Sequence, residues 1–76
     1  MRLVEITREP VELFKILKFE GMVATGGEAK QVIAGGQVRV NGEVETRKRK
    51  QIVAGDTIEF GCDKIRIQLT ETGSTR

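Results

Sequence analysis

The sequence predicts an α+β domain: two N-terminal helices packed on a small, mainly antiparallel sheet. Three observations carry that expectation. Apolar residues recur at helical spacing in two stretches between Val11 and Ala34, one closed by Gly21 and the other by Gly35-Gly36. From Gln37 to Leu69 the apolar residues instead alternate with polar ones at strand period. Asn41-Gly42, set between Val38-Arg39-Val40 and Glu43-Val44, is a hairpin signal, because both turn residues tolerate the positive φ that a two-residue turn requires.

Taken in order, Leu3 to Thr7 reads as a first strand, with Val4 and Ile6 on one face and Leu3 and Glu5 on the other. Pro10 suits the first turn of a helix running from Val11 to Glu20, whose buried arc is Leu13, Phe14 and Leu17. Gly21 ends it, and Met22-Val23-Ala24 connects it to the next helix. That second helix opens at Thr25. With Glu28 three residues on, Thr25 spells a capping box, in which each side chain satisfies an orphan amide at the helix start. Ala29, Val32 and Ile33 form its buried stripe. After the hairpin and the run Arg47-Lys48-Arg49-Lys50, turns at Ala54-Gly55-Asp56 and Gly61-Cys62-Asp63 bracket a strand from Thr57 to Phe60. A last strand, Lys64 to Leu69, turns Ile65, Ile67 and Leu69 inward. The first and last strands are expected to complete one edge of the sheet together. Residues 1–70 read as one domain and 71–76 as a polar, flexible tail.

Seventy-six residues, 38% hydrophobic and 32% charged, suit one small folded domain, and no apolar run approaches the roughly 20 residues of a bilayer span. The N-terminus carries no signal-peptide pattern, so the cytoplasm is the expected location. Cys62 is the single cysteine and histidine is absent, so neither an intramolecular disulfide nor a zinc ligand set can be drawn. The same absences remove Ser/His and Cys/His pairs, and Ser74 lies in the polar tail. The expectation is a non-enzymatic monomer with no catalytic residue, metal, cofactor or small-molecule substrate.

The net charge of +2 is unevenly distributed. From Lys30 to Lys50 there are six cations, Lys30, Arg39, Arg47, Lys48, Arg49 and Lys50, against Glu43 and Glu45; the rest of the chain carries seven cations and nine anions. Such a segregated patch suits a directed contact with a polyanion.

The order of these parts resembles the alpha-L RNA-binding motif, the module named for the fourth protein of the small ribosomal subunit. The residues that carry the resemblance are Thr25, Ala29-Lys30-Gln31, Ile33, Gly36, Val38, Val40-Asn41-Gly42 and, sixteen residues on counting from Asn41, Gly55-Asp56. It covers Val11 to Phe60 and is most similar to short stand-alone bacterial members. It implies that the two helices and the adjoining hairpin form one face that lies on structured RNA, ribosomal or transfer RNA, possible settings being ribosome assembly or translation. By the same resemblance Thr25 and Lys30 occupy positions where a hydroxyl and a cation contact the RNA backbone, whereas the Asn41-Gly42 turn is structural. Gly26 departs from the pattern, since many members have arginine there. Arg47 to Lys50 falls on a segment variable among members, and its assignment rests on charge alone.

The expected RNA-binding residues are Lys15, Lys18, Thr25, Gly26, Gly27, Lys30, Gln31, Arg39, Arg47, Lys48, Arg49 and Lys50. For several there is a plainer alternative. Lys15 and Lys18 can pair with Glu12 and Glu20, Arg39 with Glu43 or Glu45, and Gly26-Gly27 can serve only to let the helices pack closely rather than to admit a phosphate. Phe14 and Phe60 read as core and Phe19 as open to a base; with so few aromatics, phosphate contacts are expected to dominate. A second function class fits the same charge: a protein-interaction adaptor docking its basic run on an acidic or ribosomal protein partner. DNA binding is disfavoured, because the second helix offers only Lys30 and Gln31 to read base edges.

Overall fold

The computed structural model describes residues 2–70; the tail at 71–76, expected to be flexible, lies outside them. Seven strands and two helices follow one another as β1 (Arg2–Ile6), β2 (Val11–Glu12), α1 (Leu13–Phe19), α2 (Gly26–Ala34), β3 (Val38–Val40), β4 (Glu43–Val44), β5 (Gln51–Ile52), β6 (Thr57–Phe60) and β7 (Asp63–Leu69). The α+β class stands, but the helices are not N-terminal: two strands precede them.

The main sheet has the order β1-β7-β6-β3-β4 and is antiparallel except where β1 runs parallel to β7, Val4 opposite Ile67. The first strand therefore forms the edge beside the last. Val40, Ile58 and Ile65 align across β3, β6 and β7 as one inward row. Together with Val4, Val38 and Ile67 they meet Leu13, Ile16, Leu17, Ala29 and Ile33 of the helices in a single buried cluster. The opposite face of the sheet carries Arg39, Glu59 and Lys64 in register.

The chain around Pro10 departs from expectation. Val11 and Glu12 are not the first turn of α1. They pair with Ile52 and Gln51 in a second, two-stranded sheet, so tertiary pairing of a β-branched residue overrides the local helical pattern. The helix begins only at Leu13, and its buried residues are Leu13, Ile16 and Leu17, with Phe14 half-buried rather than core. Phe60, Val32 and Leu69 are likewise half-buried. Glu20 caps the C-terminal end and Gly21 follows at φ 71°.

At α2 the Thr25 hydroxyl accepts from the Glu28 amide at 3.1 Å. The Glu28 carboxylate reaches back one residue further than a standard box, to the Ala24 amide at 2.9 Å. Asn41 and Gly42 take φ 55° and 85°, as the hairpin required. The Asn41 side chain then ties this turn to the next. Its amide donates to Asp56 Oδ1 at 3.0 Å, and its carbonyl accepts from the Thr57 amide at 2.9 Å. Asp56 in turn accepts from the Val53 amide at 3.0 Å. The sixteen-residue stretch Asn41 to Asp56, both ends counted, is thus the length of chain between two turns that share hydrogen bonds.

Candidate nucleic-acid interface

The basic run is held in place by its backbone. Leu13 N–H donates to the Lys50 carbonyl at 2.9 Å and Phe14 N–H to the Lys48 carbonyl at 3.2 Å. Glu12, at the N-cap of α1, makes no side-chain cap, so these two carbonyls satisfy helix-start amides that otherwise lack partners. A turn closed by Lys50 N–H to the Arg47 carbonyl at 3.1 Å leaves the side chains of Lys48 and Arg49 exposed. An open groove of about 910 Å³ runs along Thr46 to Gln51 and reaches Ala34 at the end of α2.

Phe14 joins this loop to the second helix. Its amide holds Lys48, and its ring lies under Lys30 Nζ, 5.0 Å from the centroid. A cation over an aromatic face is attracted by the ring quadrupole, which fixes Lys30 beside the loop. On the other side of Phe14 a second open groove, about 760 Å³, is bounded by Arg8, Lys15, Lys18, Phe19 and Gly26. Gln51 borders both grooves. Phe14 thus links the loop, through its amide, to α2, through its ring, and borders the second groove.

Individual candidate residues differ. Lys15 Nζ stands 3.6 Å from Glu12 across the surface, whereas Lys18 has no carboxylate partner among the described residues; it is Arg2, not Lys18, that approaches Glu20, at 4.0 Å. The reading of Gly26 and Gly27 as close-packing glycines fails. A Cβ at Gly26 would meet nothing within 4 Å, and one at Gly27 only the Thr25 hydroxyl at 3.9 Å. Gln31 is exposed on α2. Arg39 stands apart, on the sheet face turned away from the core, opposite Val44 and Glu59 rather than Glu43 or Glu45.

Glu45 is engaged elsewhere. It accepts from Arg47 three times: Nε to Oε2 at 2.9 Å, a terminal guanidinium nitrogen to Oε1 at 3.3 Å, and the Arg47 amide to Oε2 at 2.9 Å. The guanidinium hydrogen bond, then the backbone one, hold the Glu45 carboxyl below its usual range, and the same carboxylate raises Arg47. The run of four cations is thus three, Lys48, Arg49 and Lys50, beside an arginine already matched to an anion. Arg8 carries no signal in the sequence. It sits in the connection after β1, with no motif to mark it, and only the fold brings it beside Lys15 and Lys18. Cys62 is exposed and free, and no group of three or more metal-ligating residues forms among the described residues. No helix there is long and apolar enough to cross a membrane.

The arrangement has known relatives. A profile of the S4 domain matches residues 4–68, nearly the whole described fold. The chain belongs to the S4 domain family. YbcJ of Escherichia coli (strain K12) is 51% identical over 57 residues, 75% of this chain and 81% of that protein, and YbcJ of Shigella flexneri matches to the same extent. The solution structure of Escherichia coli YbcJ, reported to contain an αL motif involved in RNA-binding, superposes with a TM-score of 0.69 at 43% identity. That match covers 90% of this chain and 87% of the other. In this S4 member the helix pair and the β3–β4 hairpin are joined to a sheet whose far edge is β1, paired with β7.

Proposed function

We propose that this S4 domain binds structured RNA, ribosomal or transfer RNA, as a monomer in ribosome assembly or translation. The observation that supports the reading most is the assembly around Phe14. Three segments distant in sequence, α1, α2 and the loop at 47–50, are joined there, and in this reading Lys15, Lys18, Lys30, Lys48, Arg49 and Lys50 act together as one binding surface. A surface of this kind suits a phosphate backbone, whose charges repeat along a strand and reward several cations held at once. The relation to YbcJ, whose αL motif is reported as involved in RNA-binding, agrees with it.

In this reading Lys48 and Arg49 make the leading phosphate contacts and Lys30 a positioned one, while Thr25, whose hydroxyl oxygen already accepts from Glu28, retains its proton to donate. Arg39 and Arg47 contribute less, the first through its place on the other face and the second through Glu45. With about five cations on phosphates, the logarithm of affinity should fall with the logarithm of salt concentration at a slope of about −3 to −4. Reversing the charge at Lys48, Arg49 and Lys50 together should weaken binding by at least about tenfold and flatten that slope by about 2. The check is a salt titration of wild type and variant by fluorescence anisotropy, with circular dichroism to establish that the variant is folded. A wild-type slope near zero, or a folded variant of unchanged affinity, would overturn the assignment.

A further inference from the structure

Phe19 is 71% exposed at the C-terminal end of α1. A single exposed phenylalanine is ordinary on a protein surface, but the surroundings of this one are not uniform. Its ring stands on the rim between two grooves. On one side lies the cationic groove with Arg8, Lys15 and Lys18. On the other a groove of about 310 Å³ opens between β1 and α1, floored by Val4, Ile6, Val11 and Ile16 and edged by Glu5, Glu20 and Arg8, which borders both grooves. The other aromatic rings are committed: Phe14 lies under Lys30, and Phe60 is half-buried against the core.

A nucleotide has the same division, an anionic phosphate on one side of the sugar and a planar, largely apolar base on the other. The charges also fix its direction. In the first groove Arg8, Lys15 and Lys18 outnumber Glu12 and favour phosphate, while in the second Glu5 and Glu20 outnumber Arg8, disfavour phosphate and offer acceptors to exocyclic amino groups of a base. We infer that Phe19 is a stacking platform for one unpaired nucleotide, its base lying on the ring and over the β1–α1 groove, its phosphate between Arg8, Lys15 and Lys18. The inference rests on the RNA-binding reading above and narrows its ligand from structured RNA in general to a duplex stem interrupted by a bulged or looped-out nucleotide. The stem lies along the basic loop and the interruption falls at the end of α1. A fully paired helix leaves Phe19 empty, because its bases are stacked on one another and their faces are unavailable.

Two short RNA hairpins that differ only by one bulged nucleotide provide the test. Wild type should prefer the bulged hairpin. Phe19→Ala, a change at an exposed side chain, should lose about 5- to 100-fold in affinity for the bulged hairpin and leave the paired one unchanged. Because stacking is less sensitive to salt than phosphate contact, the bulged-to-paired ratio should persist at salt concentrations that weaken both. Phe19→Trp gives a second readout, since the chain contains no tryptophan: its indole emission should be quenched by the bulged hairpin and not by the paired one. An unchanged bulged-to-paired ratio in Phe19→Ala, or indole emission indifferent to the bulge, overturns the platform while leaving RNA binding intact. The platform is equally overturned if Phe19→Ala instead loses a protein partner with its RNA affinities unaltered. If wild type binds neither hairpin even at low salt, the RNA-binding reading and this one fall together.

Discussion

Residue by residue, the candidate face shows how far a side chain's neighbours change what its type suggests. Arg47 is a cation like Lys48 and Arg49, yet three hydrogen bonds to Glu45 commit it to its own chain. Gly26 is the converse: the position is empty and borders the groove that holds Lys15 and Lys18. At the first position of α2, arginine is also a better helix former than glycine. Gly26→Arg, which supplies the residue the family resemblance leads one to expect there, should therefore fold at least as stably as wild type. It should also add one phosphate contact, steepening the salt slope by about 0.7 to 0.9. Thermal melting and a salt titration of that variant check both parts; a steeper slope is the expected result. The residue types and their segregation along the chain were legible in the sequence. The Glu45–Arg47 pairing was not, because both residues lie in irregular chain beyond β4, where no helical or strand period applies.

Among the elements, those defined by local chemistry were the ones the sequence specified. The Thr25 cap, the Asn41-Gly42 turn and the β6–β7 alternation each depend on residues within a few positions of one another. What escaped prediction was β2 with β5, two-residue strands whose partners lie forty residues apart along the chain. Too short to carry a pattern, they exist because the loop at 47–50 docks on the start of α1. The turn network invites a quantitative test. Asn41→Ala loses the bonds to Asp56 and Thr57 and also places an L side chain without local hydrogen bonding at φ 55°. The expected loss is on the order of 1–3 kcal/mol. Asn41→Gly, which loses the bonds but keeps the backbone, should be milder, and Asp56→Ala should be less than additive with either, since the residues share a hydrogen bond. Urea denaturation of the single and double variants measures these differences.

At the scale of the whole molecule, sheet and helices share a single buried cluster, while Lys30 stands over Phe14 outside it, on the proposed binding side. The α+β class was legible from the change of period near Gln37, and so was the edge shared by the first and last strands, whereas the short β2–β5 sheet was not. The contact between loop and helix also bears on how the chain acquires its shape during synthesis. The acceptors for the Leu13 and Phe14 amides are supplied by residues made more than thirty positions later. A nascent chain that has emerged only as far as Thr46 carries the sequence of α1 without the groups that finish its first turn. Fragments ending there should show less helix by circular dichroism than α1 and α2 together contribute to the intact protein, and extension through Ile52 should restore it. The contact that sets the proposed binding loop in place is then the same one that completes the start of a helix.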